Sequence, residues 1–88
     1  MIQKTITFDS KSFFHARPSA QVARIARSFE SVVMLMVGTE IADAKNPMAL
    51  MRLGHPNGSP VDLVIDGKDE EAALASVLET LRNEFTVI

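Results

Sequence analysis

A histidine, an arginine and a proline fall within four consecutive positions, His15-Ala16-Arg17-Pro18. Proline lacks an N–H and has a fixed φ, so it is best tolerated in the first turn of a helix, where amide hydrogens have no carbonyl partners. The spacing therefore predicts a helix that begins around Arg17 or Pro18. Its free amides and positive dipole end point back toward His15, and the Arg17 guanidinium fork completes an anion pocket. A phosphate fits such a pocket, held by Ala16, Arg17 and Pro18 at the helix start. The same positive end disfavours an imidazolium, which keeps the His15 ring neutral and nucleophilic. A histidine in a loop beside a helix start also has a purely structural reading, and residue chemistry alone leaves both open.

The elements that must hold this stretch are legible in the apolar pattern. Ile2, Ile6 and Phe8 share one parity and Gln3, Thr5 and Thr7 the other, as in a half-buried strand over 2–8. A polar link, Asp9 to Ser12, leads to Phe13-Phe14. Two adjacent aromatics do not both face inward easily, so Phe14 is expected to anchor the loop in the core. Phe13 is left near the surface, either as a contact residue or in local packing. From Pro18 to Phe29, the residues Val22, Ile25, Ala26 and Phe29 recur at helical spacing. Arg24 and Arg27 then extend a positive surface away from Arg17, to meet a partner or simply to be solvated.

Val32–Val37 is an apolar run of strand length, and Gly38-Thr39 suits a hairpin turn into a third strand over 40–44. Asn46-Pro47 marks the next helix start, with Asn46 as N-cap, Pro47 as first helical residue and Gly54 as the stop. Leu50 and Leu53 face the core, which turns Met48 and Met51 onto another face beside Pro47. Those methionines are either adaptable contact groups or packing under a loop. His55 lies in a turn-rich segment with no companion ligand or carboxylate pattern, so it is read as a surface residue. Val61, Leu63 and Ile65 alternate with Asp62 and Asp66 in a fourth strand, Gly67 closes it, and Asp69 is placed to cap a last helix. Leu74, Val77, Leu78, Leu81 and Phe85 form that helix's apolar stripe, and residues 86–88 are a tail.

The order is βαββαβα. It predicts an α+β, two-layer open-faced sandwich: a four-stranded antiparallel sheet with three helices on one face and water on the other. Residues 1–88 are expected to form a single domain. A hydrophobic share of 47% suffices for such a core, and the absence of cysteine removes disulfides, thiolate chemistry and cysteine-ligated zinc. A net charge of −2 argues against general nucleic-acid binding. The opening Met1-Ile2-Gln3-Lys4 resembles neither a signal peptide nor a membrane span, so a cytoplasmic monomer without direct membrane insertion is expected. Neither a metal nor a cofactor is expected. Paired carboxylates, a catalytic triad and a glycine-rich nucleotide loop are all missing, which makes a conventional turnover enzyme the weakest reading.

Taken together, His15-Ala16-Arg17-Pro18, Lys45-Asn46-Pro47-Met48, Met51 and Leu53-Gly54 resemble the HPr family. Its members are histidine phosphocarriers of the bacterial phosphoenolpyruvate-dependent sugar phosphotransferase system. The resemblance runs over almost the whole chain. It implies a phosphoryl group taken from phosphorylated enzyme I onto Nδ1 of His15, stabilised by Arg17, and passed to a histidine on an enzyme IIA-type acceptor. Phe13, Arg24, Arg27, Pro47, Met48 and Met51 frame the docking face under this reading.

Four positions depart from the family pattern. Asn46 replaces the serine that a regulatory kinase phosphorylates, so that branch of control is expected to be absent. Phe13 replaces a common glycine, Phe14 a leucine or isoleucine, and Ser19 an alanine, which makes the surroundings of His15 bulkier. Two alternatives stand beside the sugar phosphocarrier. One is a paralogue in a regulatory, nitrogen-related or dihydroxyacetone-kinase relay, and the other is a non-catalytic interaction module in which His15 is silent.

Overall fold

The computed structural model describes residues 1–9, 14–53 and 60–85. Strand β1 (Ile2–Thr7) is followed by helix α1 (Ala16–Arg27), strands β2 (Val32–Val37) and β3 (Glu40–Asp43), helix α2 (Pro47–Leu53), strand β4 (Pro60–Asp66) and helix α3 (Glu70–Glu84). This is the βαββαβα order that the apolar pattern predicts. The strands form one sheet in the order β1-β4-β2-β3, and every neighbouring pair is antiparallel. The chain leaves β1, crosses through α1 to β2, and so leaves a central slot that β4 fills last.

Period-2 alternation decides which face of the sheet is dry. Ile6, Val33, Leu35, Ala42, Val61, Leu63 and Ile65 fall on one face in register, and all are buried. The helices bring Val22, Ala26, Leu50, Ala73, Val77 and Leu81 down onto them. Each valine, leucine or isoleucine among them contributes about 1.5–3 kcal/mol relative to exposure, which is what holds two layers of this size together. Leu74 and Leu78, expected in the buried stripe of α3, are half-buried, and Ala73 is fully buried.

One local reading changes. Asp69 occupies the N-cap position of α3 but makes no side-chain cap bond. Its carboxylate instead accepts from the Glu30 N–H at 2.8 Å, from the Ser31 N–H at 2.9 Å, and from the Ser31 hydroxyl. The loop entering β2 presents unpaired amides at that spot and captures the carboxylate. Gly67 is required beside it, because a Cβ there would lie 2.6 Å from the Ser31 Cα. Gly38 has a φ of +60, the positive value the hairpin between β2 and β3 demands of its first turn residue. Gly54, His55 and the 86–88 tail lie outside the described residues.

Candidate functional site

Pro18 does not start α1. The helix begins at Ala16, which makes His15 the N-cap and Pro18 the third helical residue. Proline is accommodated there because the third amide of a helix has no intrahelical acceptor either. His15 has the extended backbone of a cap residue, φ −90 and ψ −177, and its carbonyl accepts the first helical bond from the Ser19 N–H at 3.1 Å. Its imidazole makes no capping bond to the helix. The amides of Ala16 and Arg17 are therefore the backbone donors that the first turn turns outward, and no acidic residue lies in that turn to oppose an anion.

The residue before His15 explains how an exposed ring is held in place. Phe14 is buried at 1% exposure, with its ring centroid 5.9 Å from Phe8 in an edge-on arrangement and 4.8 Å from Phe85. Phe8 and Phe85 are themselves in contact, with centroids 4.9 Å apart, so three aromatics from three parts of the chain close into one cluster. On the other side, Pro18 and Ser19 are buried against the core. His15, Ala16 and Arg17 are thus an exposed tripeptide clamped between Phe14 and Pro18. Phe14 performs the anchoring expected of it, whereas its partners Phe8 and Phe85 are a contribution that only the folded chain brings together. Phe13 lies outside the described residues.

Arg17 and Arg24 are seven residues apart, which places them on nearly the same line of α1 about 10 Å apart along its axis. Both are exposed, and Arg24 donates from Nη2 to the Gln21 Oε1 at 2.9 Å. Arg27 is exposed too but is tied down: its Nε donates to the Lys45 carbonyl at 2.8 Å. Lys45 reciprocates, with Nζ donating to the Phe29 carbonyl at 2.9 Å. These two bonds dock the start of α2 beside the end of α1. Lys45 is a structural contributor that its sequence context, a lysine before Asn-Pro, does not announce.

At that junction Asn46 caps α2, its Oδ1 accepting from the Met48 N–H at 3.0 Å and the Ala49 N–H at 3.4 Å. Pro47 is the first helical residue, as the spacing predicts. Leu50 is buried, while Met48 is 60% and Met51 38% exposed. Both methionines are thus exposed, on a different face of α2 from Leu50. Among the described residues, no group of three or more histidine, aspartate or glutamate side chains is placed to hold a metal ion, and no helix is long and apolar enough to cross a membrane.

Comparison with known proteins agrees with this geometry. A family model described as the PTS HPr component phosphorylation site matches residues 2–83. The phosphocarrier protein HPr of Treponema pallidum (strain Nichols) is 35% identical over 85 residues, spanning 97% of each chain. Among solved structures, HPr-C-His from Thermoanaerobacter tengcongensis superposes with a TM-score of 0.83 at 31% identity, over 96% of this chain and 94% of that one. A histidine-containing phosphocarrier protein of Mycoplasma superposes with a TM-score of 0.88 at 21% identity, over 97% and 99% of the two chains, which is a likeness of fold.

Proposed function

The chain belongs to the HPr phosphocarrier family of the phosphotransferase system, and from that premise we propose that His15 is its phosphoryl acceptor and Arg17 the side chain that steadies the bound phosphate. The donor is phosphorylated enzyme I and the acceptor an enzyme IIA-type protein. The observation that carries this reading is the exposed His15 at the N-cap of a helix whose first amides and Arg17 face outward.

The chemistry follows from the setting. A lone pair of the neutral imidazole, at Nδ1, attacks phosphorus in line as the N–P bond on the donor's histidine breaks. The phosphoryl group leaves in the same manner toward the next histidine, so no water enters either step. An exposed N-cap suits an exchange between two proteins, because a deep cleft would exclude the second one. The Ala16 and Arg17 amides and the Arg17 guanidinium offset the negative charge of the phosphoryl group without enclosing it. Moderate stabilisation matters, since a pocket that bound the phosphohistidine too well would trap it. Arg24, Arg27, Pro47, Met48, Met51 and Phe13 form the docking face in this reading, the protein works as a single copy in the cytoplasm, and Asn46 removes the control exerted through serine.

Incubation with phosphoenolpyruvate and the native enzyme I tests the reading. An acid-labile, base-stable adduct is expected on the native protein and none on His15→Ala, with slowed transfer for Arg17→Ala. A labelled His15→Ala protein would overturn it. Partner binding that is indifferent to phosphorylation would favour a non-catalytic interaction module, and transfer rates to different acceptors separate a sugar carrier from a paralogue in another relay.

A further inference from the structure

The face of the sheet turned away from the helices has a character of its own. Strand alternation places Val32, Met34 and Met36 of β2, Ile41 of β3 and Val64 of β4 on that side. Register makes them neighbours: Met34 lies opposite Val64, and Met36 lies opposite Ile41. Val32 is 55% and Ile41 59% exposed, so the patch is uncovered at both ends. Carboxylates surround it. Asp43 lies opposite Met34, Asp62 opposite Met36 and Asp66 opposite Val32.

The charge on this face is one-sided. Among the described strand residues on it there is no lysine, arginine or histidine, and the Met1 amino group lies 3.5 Å from Asp66 at one end. The Thr5 hydroxyl donates to Asp62 at 2.6 Å, which fixes that carboxylate in place without neutralising it. Helix α1 is the opposite, with Arg17, Arg24 and Arg27 exposed along it. A partner of the α1 face is therefore acidic, and a partner of the open face basic. Two copies meeting open face to open face would bring like carboxylates together, and anionic lipid or nucleic acid would be repelled.

We propose that the open face of the sheet is a second docking surface, for a cationic amphipathic segment of another protein. Its apolar side chains cover Val32, Met34, Met36 and Ile41, while its lysines or arginines meet Asp43 and Asp62. Because the sheet separates this face from His15, such a partner binds without blocking phosphoryl transfer. This surface does not depend on the role assigned to His15.

The probe is a twelve-residue alternating Lys-Leu peptide, titrated into the isotope-labelled protein and followed by amide chemical shifts. An alternating Lys-Ser peptide of equal charge is the comparison. Shifts confined to β2, β3 and β4 are expected, with affinity at least tenfold above that of the Lys-Ser peptide. Both D43N/D62N and V32T/I41T should weaken binding at least tenfold, and their amide spectra away from the patch report that the fold is intact. Shifts centred on α1 and α2 or on the acidic 67–72 segment would overturn the proposal. So would unchanged affinity in either variant, or sedimentation showing that this face joins copies of the chain head to tail.

Discussion

The Arg27 Nε donates to the Lys45 carbonyl at 2.8 Å, and this bond joins the last turn of α1 to the residue before the cap of α2. An arginine that sequence reading assigns to partner contact is thereby also an internal strut. Arg27→Ala is expected to lower stability by about 1 kcal/mol, the worth of one such bond at a solvated site. Urea unfolding measures that loss. Amide exchange should quicken in α2 and leave β1 and β4 unchanged, since those strands are held by the sheet ladder.

Asn46 places its Oδ1 on the Met48 and Ala49 amides, so asparagine in place of the family's serine retains the cap. Asn46→Ala is expected to cost about 1 kcal/mol in thermal unfolding, whereas Asn46→Ser should be nearly neutral because serine caps equally well. Asn46→Ser also restores a hydroxyl at the position where the family's regulatory serine kinase acts. That variant, and not the native protein, should take up label at residue 46.

Asp69 makes the fold acid-sensitive. The Ser31 hydroxyl, the Glu30 amide and the Ser31 amide all bond its charged form and hold its carboxyl below the usual range. The stabilisation is fully present above the ordinary aspartate value and is lost as pH falls through the lower, folded value. Unfolding followed from pH 6 downward should therefore show a loss of stability that Asp69→Asn flattens. The residual slope in that variant belongs in part to Glu70, whose carboxyl is lowered by the Met1 amino group and the Gly67 amide.

Ser19 is fully buried, and its hydroxyl has no hydrogen-bond partner among the described residues. Alanine, the residue usual at this position in the family, would remove the buried polar group and improve helix propensity at once. Ser19→Ala is expected to raise stability by about 1 kcal/mol by urea unfolding. Phosphorylation of His15 should be unaffected, because the Ser19 amide that bonds the His15 carbonyl is unchanged.

Much of this molecule was readable from local pattern. Alternation at Val61, Leu63 and Ile65, helical spacing at Val22, Ala26 and Leu81, and the Asn46-Pro47 start all act over a few residues, within the range that sequence periodicity reports. Helix α1 starts at Ala16 rather than around Arg17 or Pro18, because a proline constrains only the first turn and does not say where in that turn it sits. His15 and Arg17 stood out as a pair for the same local reason, since the chemistry and the helix start share four residues.

What lay beyond the sequence is what depends on distant segments. The aromatic cluster that fixes Phe14, and with it His15, takes Phe8 from the end of β1 and Phe85 from the end of α3. Asp69 reads as a helix cap until the loop at Glu30 and Ser31 comes within reach, and then the amides of that loop claim it. The strand order β1-β4-β2-β3 sets which side chains become neighbours on the open face. Sequence alone determined the elements and most of their buried faces, and it singled out the residues proposed to carry a phosphoryl group. Only the tertiary structure decided their partners, because cross-strand register, aromatic packing and carboxylate hydrogen bonds are contacts between residues that the chain itself keeps far apart.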